Sequence, residues 1–424
     1  MLYSALSFRA VAGRLMSLLM AVALAVAVSA CDSDDSPFDG DDDDPQSRTV
    51  LVYVVANNSL GTSMGCDEAD FKEMVEAAQK NDFGGGRLLV YHNPPRCSAT
   101  KPCQLYEVTA EGLQPLKSYT FTDAGESVTP ERMREVMADM KEFAPAVDYG
   151  LVFWSHADNW LGNNGDSDTR YRGFGDDGGK RMSIPTLARA LAGEHFAFIY
   201  FDCCLLGNVE VLYELRAFAP LAVASPTELG IDGMPYHKNV PVMFDGALTD
   251  EEKCVRMAEN TFNYYKNHRA ECSGSSVCAK TDECQMTVVR LDNLGKLADA
   301  TRRIMLTVDR LPSSLASLQS YSAPRSDDWG AYDMDDYMAL LTSDDSVQNG
   351  AELLAEWRAA LDDVVVYKEA STRGINNLYI SRYCGLGSFA MTSVTQSAWR
   401  SYDTLQWWAD VVSKAPVFSR SASN

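Results

Sequence analysis

The sequence predicts an α/β fold, with a mostly parallel β-sheet covered by helices on both faces. Two continuous apolar runs, at residues 149–154 and 196–202, are typical of strands buried on both faces. Helical patterns lie between several such runs, and this alternation favours a parallel sheet. Because open α/β sheets bind ligands at the carboxyl ends of their strands, residues at strand ends are the candidates for function.

The chain of 424 residues begins with a segment typical of a secretory signal. Arg9 and Arg14 precede an apolar run at residues 15–28, and small residues follow it directly before Cys31. We therefore expect residues 1–30 to be removed as a signal peptide. The ending also resembles a bacterial lipobox, which implies that Cys31 is lipidated; an uncleaved signal anchor is the alternative.

Residues 31–47 include eight aspartates and almost no apolar side chains. Self-repulsion keeps such a segment solvated and extended, so we interpret it as a tether. It resembles the acidic export tags of Bacteroidetes surface lipoproteins. That resemblance implies an outer membrane lipoprotein, exposed on the cell surface of a Gram-negative bacterium and held to the membrane by its N-terminal lipid.

The charge of the chain excludes some classes of partner. The formal net charge is −22, and removing the two arginines and eight aspartates of residues 1–47 leaves −16. An acidic surface repels nucleic acid and attracts basic ligands. We expect no nucleic-acid partner, protein or peptide substrates with basic residues, and a monomer.

Residues 48–245 are predicted as a catalytic core. Its expected strands are at 49–56, 87–91, 149–154, 196–202 and 220–224, and its clearest helices are Asp67–Lys80, Thr129–Glu142 and Ser183–Leu191. Residues 246–424 are predicted as a largely helical subdomain that returns a strand to the core. Its helical patterns are Asp250–Tyr265, Leu291–Leu311 and Ala351–Tyr367, and an extended run follows at Asn376–Ile380.

The eleven cysteines suit an oxidising compartment. Without Cys31, Cys203 and Cys204, eight remain, which allows up to four disulfides. Cys97 and Cys103 look like the ends of a stapled loop.

We expect no metal or other cofactor, with calcium left open. Cys272, Cys278 and Cys284 could be interpreted as a metal site, but they lack the spacing that zinc prefers. The loop at Asp166–Arg170 fails the calcium-loop pattern at its fifth position.

A thiol and an imidazole follow the two buried strands. His156 comes two residues after the first run, and Cys204 comes two residues after the second, before a segment with helical spacing. This pattern predicts a Cys/His nucleophile pair, with the thiol pKa lowered by a helix N-terminus. Asp202 shares a face with Cys204 and suits a basic substrate side chain, unless it caps the following helix.

Four segments resemble the clostripain family of cysteine peptidases. They are the nucleophile segment Asp202–Gly207, the histidine segment Trp154–His156, the first strand Val50–Asn58, and the pair Ala224–Glu228 and Gly233–Tyr236. The resemblance covers roughly residues 48–380. It implies a caspase-like sheet, with Cys204 as nucleophile, Cys203 in a small-residue position, and His156 as general base and acid.

The resemblance also implies the surrounding site. The backbone N–H groups of Ala157 and Cys204 would form the oxyanion hole, and Asp202 with Asp232 would provide the acids of the specificity pocket. Cleavage would follow Arg, with Lys second. Family members cut themselves between the histidine and cysteine strands, so Arg170, Arg172 and Lys180 in the exposed loop at 161–180 are candidate processing sites.

One position differs from the family pattern, because Ala157 stands where Gly usually follows the histidine. Two alternatives therefore stay open. One is a catalytically impaired, caspase-like surface lipoprotein that binds peptides or proteins. The other is a calcium- or surface-binding lipoprotein in which the pair Cys203–Cys204 is incidental.

Overall fold

The computed structural model describes residues 48–160, 173–271, 283–322, 330–393 and 402–421. Its centre is a nine-stranded mixed sheet, whose strands lie in the order β12 (Val365–Ala370), β10 (Gln285–Arg290), β9 (Leu221–Ala224), β8 (Phe198–Asp202), β5 (Tyr149–Trp154), β1 (Thr49–Val55), β2 (Arg87–Asn93), β3 (Gln104–Thr109) and β4 (Gly112–Ser118). The five strands from β9 to β2 run parallel, and antiparallel pairs extend the sheet at both ends. The predicted α/β class, with a mostly parallel core, is confirmed.

Strand β1 shows why the core has two layers. Alternate side chains of a strand point to opposite faces of the sheet. Leu51, Tyr53 and Val55 belong to one buried cluster, while Val50 and Val52 belong to a second. The strand is therefore apolar throughout, because helices cover both faces.

The strands of the central sheet and of three small two-stranded sheets follow one another along the chain. They are β1 Thr49–Val55, β2 Arg87–Asn93, β3 Gln104–Thr109, β4 Gly112–Ser118, β5 Tyr149–Trp154, β6 Phe174–Asp177, β7 Lys180–Met182, β8 Phe198–Asp202, β9 Leu221–Ala224, β10 Gln285–Arg290, β11 Ala331–Asp333, β12 Val365–Ala370, β13 Arg373–Gly374, β14 Leu378–Tyr379 and β15 Gly387–Phe389.

The α-helices of the described residues fall between these strands and after the last of them. They are α1 Cys66–Lys80, α2 Pro130–Phe143, α3 Ile184–Ala190, α4 Val209–Leu215, α5 Tyr236–Met243, α6 Asp250–Glu271, α7 Leu294–Met305, α8 Met334–Thr342, α9 Gly350–Val364, α10 Gln406–Asp410 and α11 Pro416–Ser421. A π-helical turn, Leu60–Met64, joins β1 to α1. None of the described helices combines the length and the apolar character needed to cross a membrane.

Two predictions for the C-terminal part of the chain are wrong in detail. The extended run at 376–380 forms only the short strand β14, which pairs with β13 outside the central sheet. Strands β10 and β12 extend the core sheet instead. The helical pattern expected to reach Tyr367 ends at Val364, because Val365 begins β12.

The loop predicted at 161–180 contains regular structure at its end. Its last residues form a hairpin, in which β6 pairs with β7 through Phe174↔Met182 and Asp177↔Lys180. Glycines at 175, 178 and 179 have φ between 63° and 90°, which favours glycine and allows the tight reversal. Residues 161–172 lie outside the described residues.

The six structural cysteines that the structure describes are free thiols: Cys66, Cys97, Cys103, Cys254, Cys284 and Cys384. The Sγ atoms of Cys97 and Cys103 lie 3.5 Å apart across the loop predicted to be stapled. Cys272 and Cys278, the other two of the eight, lie outside the described residues, as does Cys31, so the number of disulfides in the whole set stays a prediction.

Candidate active site

The thiol and the imidazole selected from the sequence follow neighbouring parallel strands. Strands β5 and β8 pair in register, with Trp154 opposite Asp202. His156 and Cys204 each come two residues after these partners. Both side chains therefore lie at the carboxyl edge of the sheet, and both are partly exposed.

Cys204 lies on a turn, not at the N-terminus of a helix. Leu205 takes a left-handed conformation with φ 61°, a costly one for a residue other than glycine, and α4 begins only at Val209. The Cys204 Sγ accepts a hydrogen bond from the Leu229 N–H at 3.3 Å. Burial raises the thiol pKa to about 12, so the expected activation by a helix N-terminus is absent in this structure.

His156 is held by the ends of two other segments. Its Nε2 lies 2.8 Å from the Ser59 hydroxyl, which follows β1, and its carbonyl accepts the N–H of Gly175 in the β6–β7 hairpin. Burial lowers the pKa of the imidazole, and the nearby Arg181 guanidinium lowers it further. The imidazole is therefore neutral near pH 7.

The thiol and the imidazole share no hydrogen bond, since Cys204 contacts Leu229 and His156 contacts Ser59. Both pKa shifts favour neutral groups. The resting pair is thus a thiol and a neutral imidazole, and not a thiolate–imidazolium ion pair.

Ala157 adopts a conformation that suits alanine. Its φ is not positive; the left-handed residue of this segment is Asn159, with φ 63°. The methyl group is 4% exposed and packs into the core. Neighbouring backbone bonds use the His156 carbonyl and the Asp158 N–H, and the Ala157 N–H donates none of the backbone hydrogen bonds among the described residues. The Cys204 N–H likewise donates none of the backbone hydrogen bonds among the described residues.

Asp202 is buried beneath the segment that follows β9. Its carboxylate accepts hydrogen bonds from the Met234 N–H at 3.0 Å and the Tyr236 hydroxyl at 3.1 Å. Burial raises its pKa to about 7, against the effect of those two bonds. A Cβ on Gly233 would lie 2.8 Å from both carboxylate oxygens, so this glycine keeps the space beside the acid open.

Other carboxylates surround the same space. Asp70 on α1 is fully buried and accepts a hydrogen bond from the Trp154 indole at 2.6 Å. Burial raises its pKa well above the usual range, and Asp202, Glu73 and Asp232 raise it further. The structure therefore gathers Asp202 and the half-buried Asp232 in one acidic region, together with two acids of α1.

Cys203 has a structural environment. Its side chain is 2% exposed, and its thiol donates a hydrogen bond to the Phe153 carbonyl at 3.2 Å. Burial raises its thiol pKa well above the usual value. Of the two adjacent thiols, only Cys204 is accessible.

The candidate processing residues fall in two groups. Lys180 is in β7, where its exposed ammonium group forms an ion pair with Asp123 at 2.9 Å. Arg170 and Arg172 lie outside the described residues, as does the loop at Asp166–Arg170. Within the described part of the chain, no group of three His, Cys, Asp or Glu side chains is arranged to hold a metal ion.

Sequence reasoning missed two residues that contact this site. Ser59 could have been found, because the polar residues Asn57, Asn58 and Ser59 end a buried strand at the same edge of the sheet. Asp70 gave no comparable signal, since an acid on an amphipathic helix is ordinarily solvated.

A model of the clostripain family matches residues 52–417. The chain is 27% identical to a secreted C11 cysteine protease from Bacteroides thetaiotaomicron, solved with an irreversible peptide inhibitor; the match covers 86% of this chain and 99% of that one, with a TM-score of 0.69. It is 25% identical to an inactive zymogen of a C11 protease from Parabacteroides distasonis, covering 86% and 98% of the two chains with a TM-score of 0.69. No curated protein matches the chain.

Proposed function

The chain belongs to the clostripain family of cysteine proteases, and we propose that it is an endopeptidase that cleaves after Arg, with Lys second. Cys204 is the nucleophile and His156 is the proton carrier. The observation that carries this assignment is their position at the carboxyl ends of two paired, parallel strands. The relative solved with a peptide inhibitor supports a peptide substrate.

The neutral resting pair favours general-base catalysis. As the Cys204 sulfur attacks the peptide carbonyl carbon, its proton passes to His156, and a tetrahedral intermediate forms. The N–H groups of Ala157 and Cys204 stabilise the negative oxygen of this intermediate. His156 then protonates the leaving amine, the C–N bond breaks to give a thioester, and water hydrolyses the thioester to release the acid and the Cys204 thiol.

The acidic region around Asp202 favours a basic side chain at the cleavage position. Arg carries a planar guanidinium that can pair with two acceptors, and carboxylates are its best partners. Asp202 and Asp232 supply that charge, and Gly233 places no Cβ against the Asp202 carboxylate. Lys is second because its ammonium group acts as a point charge without the fork geometry.

Self-processing is part of the proposal, at Arg170 or Arg172. Lys180 is a weaker candidate because it lies in a strand and is ion-paired. The relative described as an inactive zymogen supports activation by cleavage. Mass spectrometry of the wild type should show two associated fragments, with a new N-terminus within residues 171–182. The Cys204→Ala variant should stay intact, and cleavage that persists in it would indicate a contaminating protease.

The decisive experiment measures hydrolysis of Arg, Lys and neutral peptide reporters by the purified full-length protein. We expect hydrolysis that a thiol alkylator stops, loss of turnover in Cys204→Ala and in His156→Ala, and activity retained in Cys203→Ala. Full activity in Cys204→Ala would contradict the assignment. A well-folded wild type without any turnover would favour the peptide-binding lipoprotein instead.

A further inference from the structure

The segment after β1 supplies a direct contact to the imidazole. Ser59 Oγ lies 2.8 Å from His156 Nε2, although the two residues are 97 positions apart. Among the described residues, no other side chain forms a hydrogen bond with this ring. The Ser59 hydroxyl is therefore placed to influence the proton carrier itself.

A buried neighbour fixes Ser59 relative to the histidine strand. The Asn58 amide donates hydrogen bonds to the Val55 carbonyl at 2.8 Å, to the Ser155 hydroxyl at 3.3 Å and to the Asp176 carbonyl at 2.9 Å. Ser155 directly precedes His156, so one side chain links β1, the histidine segment and the hairpin. This hydrogen-bond network holds the segment that carries Ser59 in a fixed position next to the segment that carries His156.

The chemistry of imidazole turns this contact into a choice between tautomers. In a neutral imidazole one ring nitrogen carries the proton and the other accepts, and a hydroxyl partner can accept from Nε2–H or donate to a bare Nε2. Because Ser59 occupies Nε2, Nδ1 is the nitrogen left to receive the thiol proton. That role requires Nδ1 without a hydrogen, and hence a hydrogen on Nε2.

We infer that Ser59 is a positioning residue, whose hydroxyl accepts the Nε2–H of His156 and so leaves Nδ1 free to act as the base for Cys204; this inference rests on the proposed function. When the thiol transfers its proton to Nδ1, the ring becomes an imidazolium, and Nε2–H still donates to Ser59 Oγ. The hydroxyl gains and loses no proton. It stabilises the positive ring until Nδ1–H passes its proton to the leaving amine.

The first test detects the tautomer directly. Nitrogen-15 NMR of the full-length protein, with imidazole signals assigned by a His156→Gln variant, should show the hydrogen of His156 on Nε2 at neutral pH. A hydrogen on Nδ1 would overturn the inference, because that nitrogen could not then accept the thiol proton.

The second test compares three substitutions on the same turn. Ser59→Ala should lower kcat about 10-fold, the effect of losing one hydrogen bond to a charged group, with KM almost unchanged. Ser59→Thr keeps the hydroxyl and should restore kcat. The matched control Ser63→Ala makes the same chemical change at an exposed residue of the π-helical turn, and it should behave as wild type.

Alkylation of Cys204 by iodoacetamide gives a readout that needs no peptide substrate. Ser59→Ala should slow it, and Ser59→Thr should not. If Ser59→Ala and wild type have equal kcat and equal alkylation rates, Ser59 does not position His156, and the proposed function is unaffected. Hydrolysis that persists in Cys204→Ala would instead contradict the proposed function. If Ser59→Ala fails to fold, the NMR measurement of the His156 tautomer and the kcat of Ser59→Thr still test the inference.

Discussion

Burial controls the charge of the residues around Cys204. It keeps Cys204 as a thiol, keeps His156 neutral and holds the pKa of Asp202 near neutrality. A charge in a low-dielectric site is costly unless a partner accompanies it. Substrate can supply that partner, because a guanidinium stabilises the ionised form of Asp202. Charge separation in this site is therefore expected to accompany substrate binding.

This state of Asp202 predicts a pH-dependent specificity. Below about pH 7 its carboxyl is protonated in the free protein, and above that value it is ionised. Since a guanidinium binds the ionised form, the ratio of kcat/KM for an Arg reporter to that for a neutral reporter should rise as pH rises through about 7. Groups that serve catalysis affect both reporters equally, so their titration cancels in the ratio.

Asp202→Asn provides the control for this prediction. In this variant the ratio of kcat/KM for the Arg reporter to that for the neutral reporter should be lower than in wild type, and it should not rise with pH. A wild-type ratio that stays constant across neutral pH would show that Asp202 does not contact the basic side chain.

Ala157 leads to a second prediction at the residue scale. Its methyl group packs in the core and its φ is ordinary, so the departure from the family glycine carries no backbone strain. Ala157→Gly should therefore destabilise the protein by about 1 kcal/mol, since glycine loses more backbone entropy on folding. It should not raise kcat. Urea unfolding measures the change in stability, and reporter kinetics measure kcat. A large gain in kcat would show that the methyl group obstructs substrate.

At the scale of elements, helix α4 connects the nucleophile turn to the C-terminal part of the chain. Glu210 on α4 is fully buried and accepts hydrogen bonds from the Phe389 N–H, the Ser388 hydroxyl and the Tyr402 hydroxyl. Glu214, one turn later, accepts the side-chain amide of Gln406. These contacts fasten β15 and the segment before α10 to the helix that follows Cys204.

Burial of Glu210 predicts that the folded protein loses stability as pH rises. Burial raises its pKa from 4.5 to about 7, so the folded protein favours the protonated form. Between those two values the unfolded chain has already lost the proton, and the free energy of unfolding must fall as pH increases. The hydroxyls of Tyr337 and Tyr402, which also face this carboxyl, stay protonated over that range, because burial raises their pKa values.

Glu210→Gln mimics the neutral carboxyl and should remove this part of the pH dependence. Urea unfolding at several pH values should show wild type losing stability relative to the variant between pH 4.5 and about 7. Glu131→Gln, at an exposed position on α2, measures the effect of removing one surface carboxylate. Parallel pH curves for wild type and Glu210→Gln would contradict the prediction.

The β6–β7 hairpin is the other element that completes the site. Asp177 accepts hydrogen bonds from the Asn57 amide at 2.8 Å and from the Ser127 N–H at 3.1 Å. Arg181 pairs with Asp158 at 3.0 Å, beside the histidine. The end of the inter-strand loop is thus fastened to the ends of β1 and β5, which keeps His156 in place.

At the scale of the whole molecule, the N-terminal signal and acidic tether predict surface attachment. Several lipid chains on Cys31 would anchor the protein stably, whereas a single chain binds a membrane only marginally. Cys31→Ala should move the protein from the membrane fraction to the soluble fraction. The neighbouring Ser33→Ala variant should remain in the membrane fraction, and retention of Cys31→Ala there would indicate an uncleaved anchor.

Local patterns were enough to predict most core elements. The apolar runs ending at Trp154 and Asp202 became β5 and β8, and helices α1, α2 and α3 lie within one or two residues of their predicted bounds. The periodicity of apolar residues indicates whether an element is buried on one face or on both, and it can be read without knowing which elements pack against it. Strand β12 was missed because it follows directly on α9, so its first residues were assigned to the helical pattern predicted to reach Tyr367.

The fold class, the family resemblance and the accessible candidates at the strand ends can be predicted from the sequence, because they depend on residues close together along the chain. The packing of the folded chain specifies which groups meet: Ser59 with His156, Asp70 with Trp154, and Glu210 with Tyr402. It also determines that Cys204 lies on a turn before its helix, with a raised thiol pKa. Hydrogen bonds and burial between distant segments depend on how the strands are ordered and packed, which no local pattern specifies.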